Sequence, residues 1–403
     1  MSYRVLDCES VTEHLRKIPS IKEFFEDDEL TAEEIGDGNL NFVYIVRGVK
    51  EPSKSLIVKQ AVPYLRCAGE EFPLSKERMK YEIRALQSYD IHAPKIYHAD
   101  EEMSLVVMEH LKDHMILRKG LIEKREYKNF ADHISSFLAH TLFKTSSLYL
   151  QSDKKRALID RFNSNTELCK LTEDFVFTFP YMENETNFIE PMCQNEAKEL
   201  FADNLFKKRV MELKYIFMTR SDALLHGDLH TGSIMVNDEE TYVIDPEFAF
   251  VGPFGFDIGA LFANLLSAYI SHRYRSGDEL YREWLLSLIT EIWSGFEEKF
   301  LQLWSETEQS ALVTKGFLDD NMLKHFKREF MLNILRQSAG FAGCKMARRV
   351  FGIAGVEEIR GIDDPKKRKA AMMQALRTGR SLVMEYEKIT AAKDLLLIAK
   401  ESE

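Results

Sequence analysis

The chain has 403 residues, 45% of them hydrophobic and 30% charged, and a formal net charge of -11. That length exceeds one small core and implies two or three packed units of an ordinary soluble globular protein. The acidic balance argues against nucleic acid as a partner, because affinity for a phosphate backbone comes from clustered Lys and Arg, and it leaves a cationic substrate open.

The five cysteines, Cys8, Cys67, Cys169, Cys193 and Cys344, have no zinc-ligand spacing and read as reduced thiols of a cytoplasmic protein. The N-terminus lacks the apolar core of a signal peptide. The longest mainly apolar run, near Ile258 to Ile270, is too short to span a bilayer, so no membrane partner is expected.

In chain order, Ile35 to Val46 crosses Gly36-Asp37-Gly38, and Asp-Gly between apolar runs signals a hairpin. Leu56-Ile57-Val58-Lys59 reads as a short strand. Ser75 is placed to cap a helix over 76–87. Leu105 to Met108 is a further strand, ending at Glu109. From about residue 110 the pattern turns helical, with apolar residues at helical spacing over 130–150, 198–219, 279–303 and 323–350. Asp364-Pro365 has the form of an N-cap followed by Pro at the first helical position, and the helix it opens is expected to run to the end of the chain. The reading is α+β: a small β-rich unit over 1–110 and a larger, mainly helical one over 111–403.

The densest chemistry lies in His226-Gly227-Asp228-Leu229-His230-Thr231-Gly232-Ser233, followed closely by Ile244-Asp245-Pro246-Glu247. Two short apolar runs, 233–236 and 241–244, flank the polar turn Asn237 to Glu240. A hairpin there brings its two ends together, so Asp228, Asp245 and Glu247 are expected to face one space. Three converging carboxylates repel one another unless a cation sits among them, and magnesium takes hard oxygen ligands. Phosphoryl transfer needs such a set: one carboxylate to align a hydroxyl, others to hold the metal. Taken singly, each Asp beside Gly or Pro also fits a turn or cap.

His-Gly-Asp-x4-Ser with a second Asp after a hairpin resembles the aminoglycoside phosphotransferase and choline kinase group, itself similar to protein kinases. The string His226 to Ile234 resembles the 5-methylthioribose kinase family in particular. That resemblance implies a bilobal protein-kinase-like fold, a cytoplasmic homodimer, and ATP and Mg2+. It also implies phosphorylation of the sugar 5-methylthioribose at its anomeric hydroxyl, in methionine salvage. By the same resemblance Asp228 is the catalytic base, and Asp245, Glu247 and Ser233 hold the metal. Most of the wider group has Asn where this chain has Ser233. A hydroxyl is the weaker ligand, which shifts metal binding toward Glu247, and Ser is what the methylthioribose kinases show.

On the nucleotide side, Gly36, Gly38 and Asn39 form either a plain hairpin turn or a loop whose N–H groups cover phosphates. Glu82 falls on the helix face of Met79, Ile83 and Leu86. A carboxylate on a buried face needs a partner, and Lys59, at a strand end, is the candidate. The pair matches the kinase Lys–Glu pair that orients the α- and β-phosphates. The resemblance makes Met108, Glu109 and Leu111 the hinge whose main chain pairs with adenine.

On the acceptor side, Arg348 and Arg349 close a long predicted helix, where the macrodipole alone favours them. The resemblance of Gly343-Cys344-x3-Arg348-Arg349-x2-Gly352-Ile353-Ala354 to the C-terminal motif of the methylthioribose kinases makes them site residues that meet substrate or the transferring phosphate. Leu117 to Ile122 and Gly252 to Asp257 also resemble that family. Asp257 either accepts backbone N–H bonds from the catalytic loop or caps the next helix. Phe175, Phe177, Phe179 and Tyr181 alternate as in a half-buried strand, or as the wall of a thiomethyl pocket. Two rival readings remain: a kinase for a cationic acceptor such as choline or an aminoglycoside, which the arginine pair opposes, and a nucleotide-binding pseudokinase, whose foothold is Ser233.

Overall fold

The computed structural model describes residues 3–35, 40–65 and 69–403. Gly36, Gly38 and Asn39 lie outside the described residues. The chain divides into two compact units, Met1–His114 with Tyr242–Ala249, and Met115–Thr241 with Phe250–Glu403. The first is built on an antiparallel sheet and the second is mainly helical, an α+β architecture.

The small unit begins with helices α1 (Cys8–Leu15) and α2 (Pro19–Phe24). Neither helix is among those expected from the sequence, although Asp7 and Ser10 form a reciprocal capping box on α1. Its sheet contains β1 (Leu30–Glu34), β2 (Asn41–Gly48), β3 (Ser55–Ala61), β4 (Ile96–Asp100) and β5 (Leu105–Glu109), in the order β1-β2-β3-β5-β4. Successive residues of a strand point to opposite faces. Leu56 and Val58 therefore join Tyr44, Val46, Leu105 and Val107 in a core closed by Val11, Leu15 and Ile21. Lys59 has the other parity and faces helix α3 (Arg78–Leu86). Ser75 does not cap this helix: its hydroxyl accepts the Glu77 N–H, and the helix starts three residues later, at Arg78, without a side-chain cap.

The large unit runs through α4 (Leu117–Ile122), α5 (Phe130–Lys144), α6 (Ser152–Phe162), α7 (Thr166–Phe175), α8 (Gln194–Ala202) and α9 (Asn204–Thr219). The single helix predicted over 198–219 is two, broken at Asp203, whose carboxylate caps the second by accepting the Phe206 N–H. Nor is 175–181 a strand. Phe175 ends α7, and Phe179–Tyr181 is a single 3-10 turn opened by Pro180. The period-2 pattern misled because Phe177 is held by an aromatic cluster with Phe217, Phe256 and Phe341 rather than by a sheet face.

Strands β6 (Ala223–Leu225) and β8 (Phe250–Gly252) pair antiparallel, and β7 (Ile234–Val236) pairs with Met115–Ile116. Helix α10 (Gly255–Arg275) is buried from Gly255 through His272 and forms the axis of the unit. Against it pack α11 (Glu279–Ser305), α12 (Asp320–Phe351), α13 (Glu357–Arg360) and α14 (Pro365–Glu385), and α15 (Lys393–Glu401) packs on α14. The α14 N-cap is Asp364, as its sequence indicates, but α14 ends at Glu385. Glycines let these helices approach closely. A Cβ on Gly259 of α10 would lie 2.6 Å from the Ser338 carbonyl oxygen of α12, and one on Gly343 of α12 would lie 2.5 Å from the Gly379 carbonyl oxygen of α14. Among the described residues, no helix is long and apolar enough to cross a membrane.

Candidate active site

The small unit gathers one ammonium and three carboxylates. Lys59 Nζ lies 2.8 Å from Glu82 Oε2 and also pairs with Asp245 Oδ1. Glu82 is 1% exposed, so its charge is tolerable only with such a partner. Glu247, equally buried, accepts the Asn41 amide at 2.9 Å and pairs with Arg78 Nε at 3.4 Å. Asp245 stands at φ 68, in the left-handed region that Asp tolerates better than most residues.

Charge is unbalanced here. Burial would lower the Lys59 ammonium, but Asp245, Glu82 and Glu247 outweigh it and hold its pKa above the usual range. Burial, with the neighbouring carboxylates, pushes Glu82 up to about 8 despite Lys59. Oxygen atoms of Glu82, Asp245 and Glu247 lie within 4.8 Å of one another. Hard oxygen donors in excess of nearby positive charge suit a divalent cation such as magnesium. Main-chain contacts of Met108 and Glu109 are those of a sheet strand, with Met108 opposite both Ile57 and Ile96. The carbonyl of Leu111 accepts the His114 N–H, closing a tight turn.

The large unit holds the second cluster. Gly227, at φ 86, turns the chain between β6 and Asp228, a conformation open to glycine. Asp257, in the first turn of α10, accepts the N–H groups of His226 at 2.6 Å and Gly227 at 3.0 Å. It supports the loop and does not cap its own helix. Asp228 Oδ1 accepts a hydrogen bond from Lys345 Nζ at 2.8 Å, and its Oδ2 lies 3.5 Å from His230 Nε2. His230 Nδ1 accepts the Gly232 N–H, which leaves the imidazole proton on Nε2, toward Asp228. Burial lowers His230 to about 3, so the ring is neutral. Burial alone would raise Asp228, but Lys345, His230, Arg348 and Arg349 hold it well below the usual carboxylate range. The result is an ionised carboxylate, 24% exposed, able to take a hydrogen bond from a hydroxyl.

Arg348 and Arg349 end α12, and each has a buried Nε without a hydrogen-bond partner. Arg349 donates through Nη1 to the Ala354 carbonyl. Burial, then Arg348 and Arg118, lower Arg349 to about 9. Arg118 of α4 pairs with the buried Glu358 of α13 at 3.1 Å, and Thr231 of the loop donates to Asn264 of α10. Ser233 is buried, 3.3 Å from His230 Nδ1, with its hydroxyl 3.4 Å from the Asp228 carbonyl.

Sequence reasoning missed Lys345, Asn41, Arg78 and Glu358. Lys345 had a legible signal: it is the one charged residue between Arg336 and Arg348, in a run of small and apolar residues, and lies one turn before Arg348 on the same face. A charge in such a run needs a buried partner, as Glu82 does. Nothing local marks Glu358, whose partner is 240 residues away.

A family model described as Phosphotransferase enzyme family matches residues 31–285. Methylthioribose kinase 1 of Oryza sativa subsp. japonica is 39% identical over 396 residues, covering 94% of this chain and 91% of the relative. Methylthioribose kinase of Escherichia coli O45:K1 (strain S88 / ExPEC) is 40% identical over 412 residues, covering 99% and 98%. That of Bacillus cereus (strain B4264) is 42% identical over 372 residues, covering 91% and 90%. With both clusters in place and identity of this order along nearly its whole length, the chain belongs to the phosphotransferase enzyme family and, within it, to the methylthioribose kinases.

Proposed function

We propose that this protein transfers the γ-phosphoryl group of ATP to the anomeric hydroxyl of 5-methylthioribose, giving the 1-phosphate and ADP, as a step of methionine salvage. The observation that carries the reading is the near-full-length identity of 39% to 42% with methylthioribose kinases of a plant and of bacteria. The ionised carboxylate of Asp228 accepts the proton of the sugar hydroxyl as its oxygen bonds to the γ-phosphorus and the bond to the ADP oxygen breaks. Arg348 and Arg349 meet the charge of the transferring group.

In the small unit, Lys59 contacts the α- and β-phosphates and Glu82 aims its ammonium. Gly36, Gly38 and Asn39 cover the phosphates through backbone N–H groups, and the main chain at Met108, Glu109 and Leu111 receives adenine. Asp245, Glu247 and Ser233 hold magnesium, which when bound neutralises phosphate charge. The closeness of Asp245 and Glu247 within the carboxylate cluster supports the first two of these ligands. The same reading makes the protein a homodimer, to be checked by sedimentation equilibrium, and places it in the cytoplasm, to be checked by fractionation.

The decisive test couples ADP release to methylthioribose, with and without magnesium. Release that needs both is expected, and none above the ATPase background would sink the proposal. Choline and kanamycin belong in the same panel. Two arginines, each with a buried Nε and no carboxylate in ion-pair distance among the described residues, disfavour a cationic acceptor, and faster turnover of either compound would replace the sugar reading.

A further inference from the structure

We propose that Lys345 is the positioning residue for Asp228: its buried ammonium fixes one oxygen of the carboxylate and leaves Arg348 and Arg349 to an incoming phosphate-class anion. The proposal rests on the reading of Asp228 as the base.

Lys345 is 2% exposed, and among the described residues Asp228 is its one hydrogen-bond acceptor. Its ammonium also lies 4.8 Å from the centre of the Phe256 ring, a second contact that favours a cation at this point. A buried ammonium is costly and an apolar side chain would fill the space more cheaply, so packing does not account for it. The helix that carries it is fixed against α10 at the Gly259–Ser338 approach and against α14 at Gly343–Gly379, so the ammonium is held where it stands.

The charges around the loop pair off unevenly. Lys345 takes Asp228 and Arg118 takes Glu358. Arg348 and Arg349 have no carboxylate within ion-pair distance among the described residues, and each keeps an unpartnered buried Nε. Two unmatched cations suit a dianionic phosphoryl group. Without Lys345, Asp228 is the nearest anion for both arginines. Its carboxylate would turn toward them and away from a hydroxyl. Burial lowers the Lys345 ammonium to about 8 against the pull of Asp228, so the pair is intact at neutral pH. The other charged or titratable groups that face the pair are His230 on the loop, Arg118 from α4, Asp257 from α10, and Arg348 and Arg349 from α12 itself.

The test is the split of kcat and KM in Lys345→Met. Turnover is expected to fall about a hundredfold, the loss typical of a misplaced catalytic group. KM for methylthioribose should stay within about threefold, because the change acts in the transition state. Turnover within about threefold of the parent, or a KM for methylthioribose that rises in step with the loss of turnover, overturns the proposal. Retained ADP binding and melting temperature certify the fold. Should Lys345→Met not fold, Lys345→Gln gives the same readouts. Asp228→Asn separates the two readings: full turnover there removes the base and this proposal with it, whereas slow Asp228→Asn beside a fast Lys345→Met removes Lys345 alone.

Discussion

Arg118 Nε and Glu358 Oε1 lie 3.1 Å apart although 240 residues separate them in sequence. Glu358 is fully buried, and its Oε1 is also 3.5 Å from the Thr231 hydroxyl of the catalytic loop. The pair joins α4 and α13 to the segment that presents Asp228. Removing one partner of a buried pair costs about 3–5 kcal/mol because the survivor stays charged. The Arg118 side chain is 23% exposed, so water screens it and about 2 kcal/mol is expected for Glu358→Ala. Turnover should fall about tenfold as the loop loses its brace. Urea unfolding and steady-state kinetics read both effects. A variant as stable and as fast as the parent would show the pair to be incidental.

The small-unit cluster predicts a magnesium phenotype. If the cluster holds the metal, Asp245→Asn and Glu247→Gln each remove a hard, charged oxygen ligand. The magnesium concentration for half-maximal turnover at fixed ATP should rise at least about tenfold in each, and chelation should silence the parent. Glu247→Gln also leaves Arg78 and Asn41 without their carboxylate, so it should lose stability as well, whereas Asp245, 44% exposed on its side chain, should not. An unchanged magnesium requirement in both variants would remove the cluster as a metal site.

Lys59 makes a separate prediction. Lys59→Met leaves Glu82, Asp245 and Glu247 facing one another with no ammonium among them. KM for ATP should rise and turnover should fall by two orders of magnitude or more, roughly, if the ammonium orients the phosphates. Glu82→Gln keeps the shape and removes one charge, so it should be milder. Equal ATP dependence in parent and Lys59→Met would place Lys59 outside the nucleotide site.

These two clusters differ in how far the sequence disclosed them. Glu82 on an apolar helix face announced a buried charge, and Lys59 was the nearest cation in the strand pattern; the structure pairs them. Asp364-Pro365 likewise marked the start of α14 because capping is local chemistry. Where tertiary context decides, the pattern failed. Phe175 to Tyr181 alternates like a strand yet forms a helix end and a turn, because aromatic packing holds it. Lys345 went unread although its setting matches that of Glu82. Asn41 and Arg78 reach Glu247 only through the fold, across more than 160 residues.

The neutral His230 ring gives a pH signature. Its folded value, lowered by burial to about 3, lies below the ordinary value near 6.5. Above 6.5 neither folded nor unfolded chains carry the proton, so the full stability is present. As pH falls from 6.5 toward 3, unfolded chains take up a proton that folded ones refuse, and stability is lost across that window. His230→Asn keeps an acceptor for the Gly232 N–H and removes the titration. Between pH 7 and pH 5 the parent should therefore lose roughly 1–2 kcal/mol more than this variant. Parallel losses in denaturant melts at the two pH values would mean that His230 titrates normally.

Helix packing sets the position of the cations, and one methyl group tests it. A Cβ on Gly259 would meet the Ser338 carbonyl oxygen at 2.6 Å and the Phe341 Cβ at 2.9 Å. Backbone cannot rotate away as a side chain can, so Gly259→Ala must push α10 and α12 apart, at about 1–3 kcal/mol. Lys345, Arg348 and Arg349 lie further along α12, while Asp228 is tied to α10 through Asp257. Separating the helices thus moves the cations from the carboxylate. Gly295→Ala in α11 is the contrast, since its Cβ meets chiefly the Ser135 hydroxyl and side chain, with Oγ at 2.7 Å, and a hydroxyl can turn aside. Gly259→Ala should lose both stability and turnover, and Gly295→Ala chiefly a little stability. If Gly259→Ala loses stability and keeps full turnover, the α10–α12 spacing does not set the geometry at Asp228.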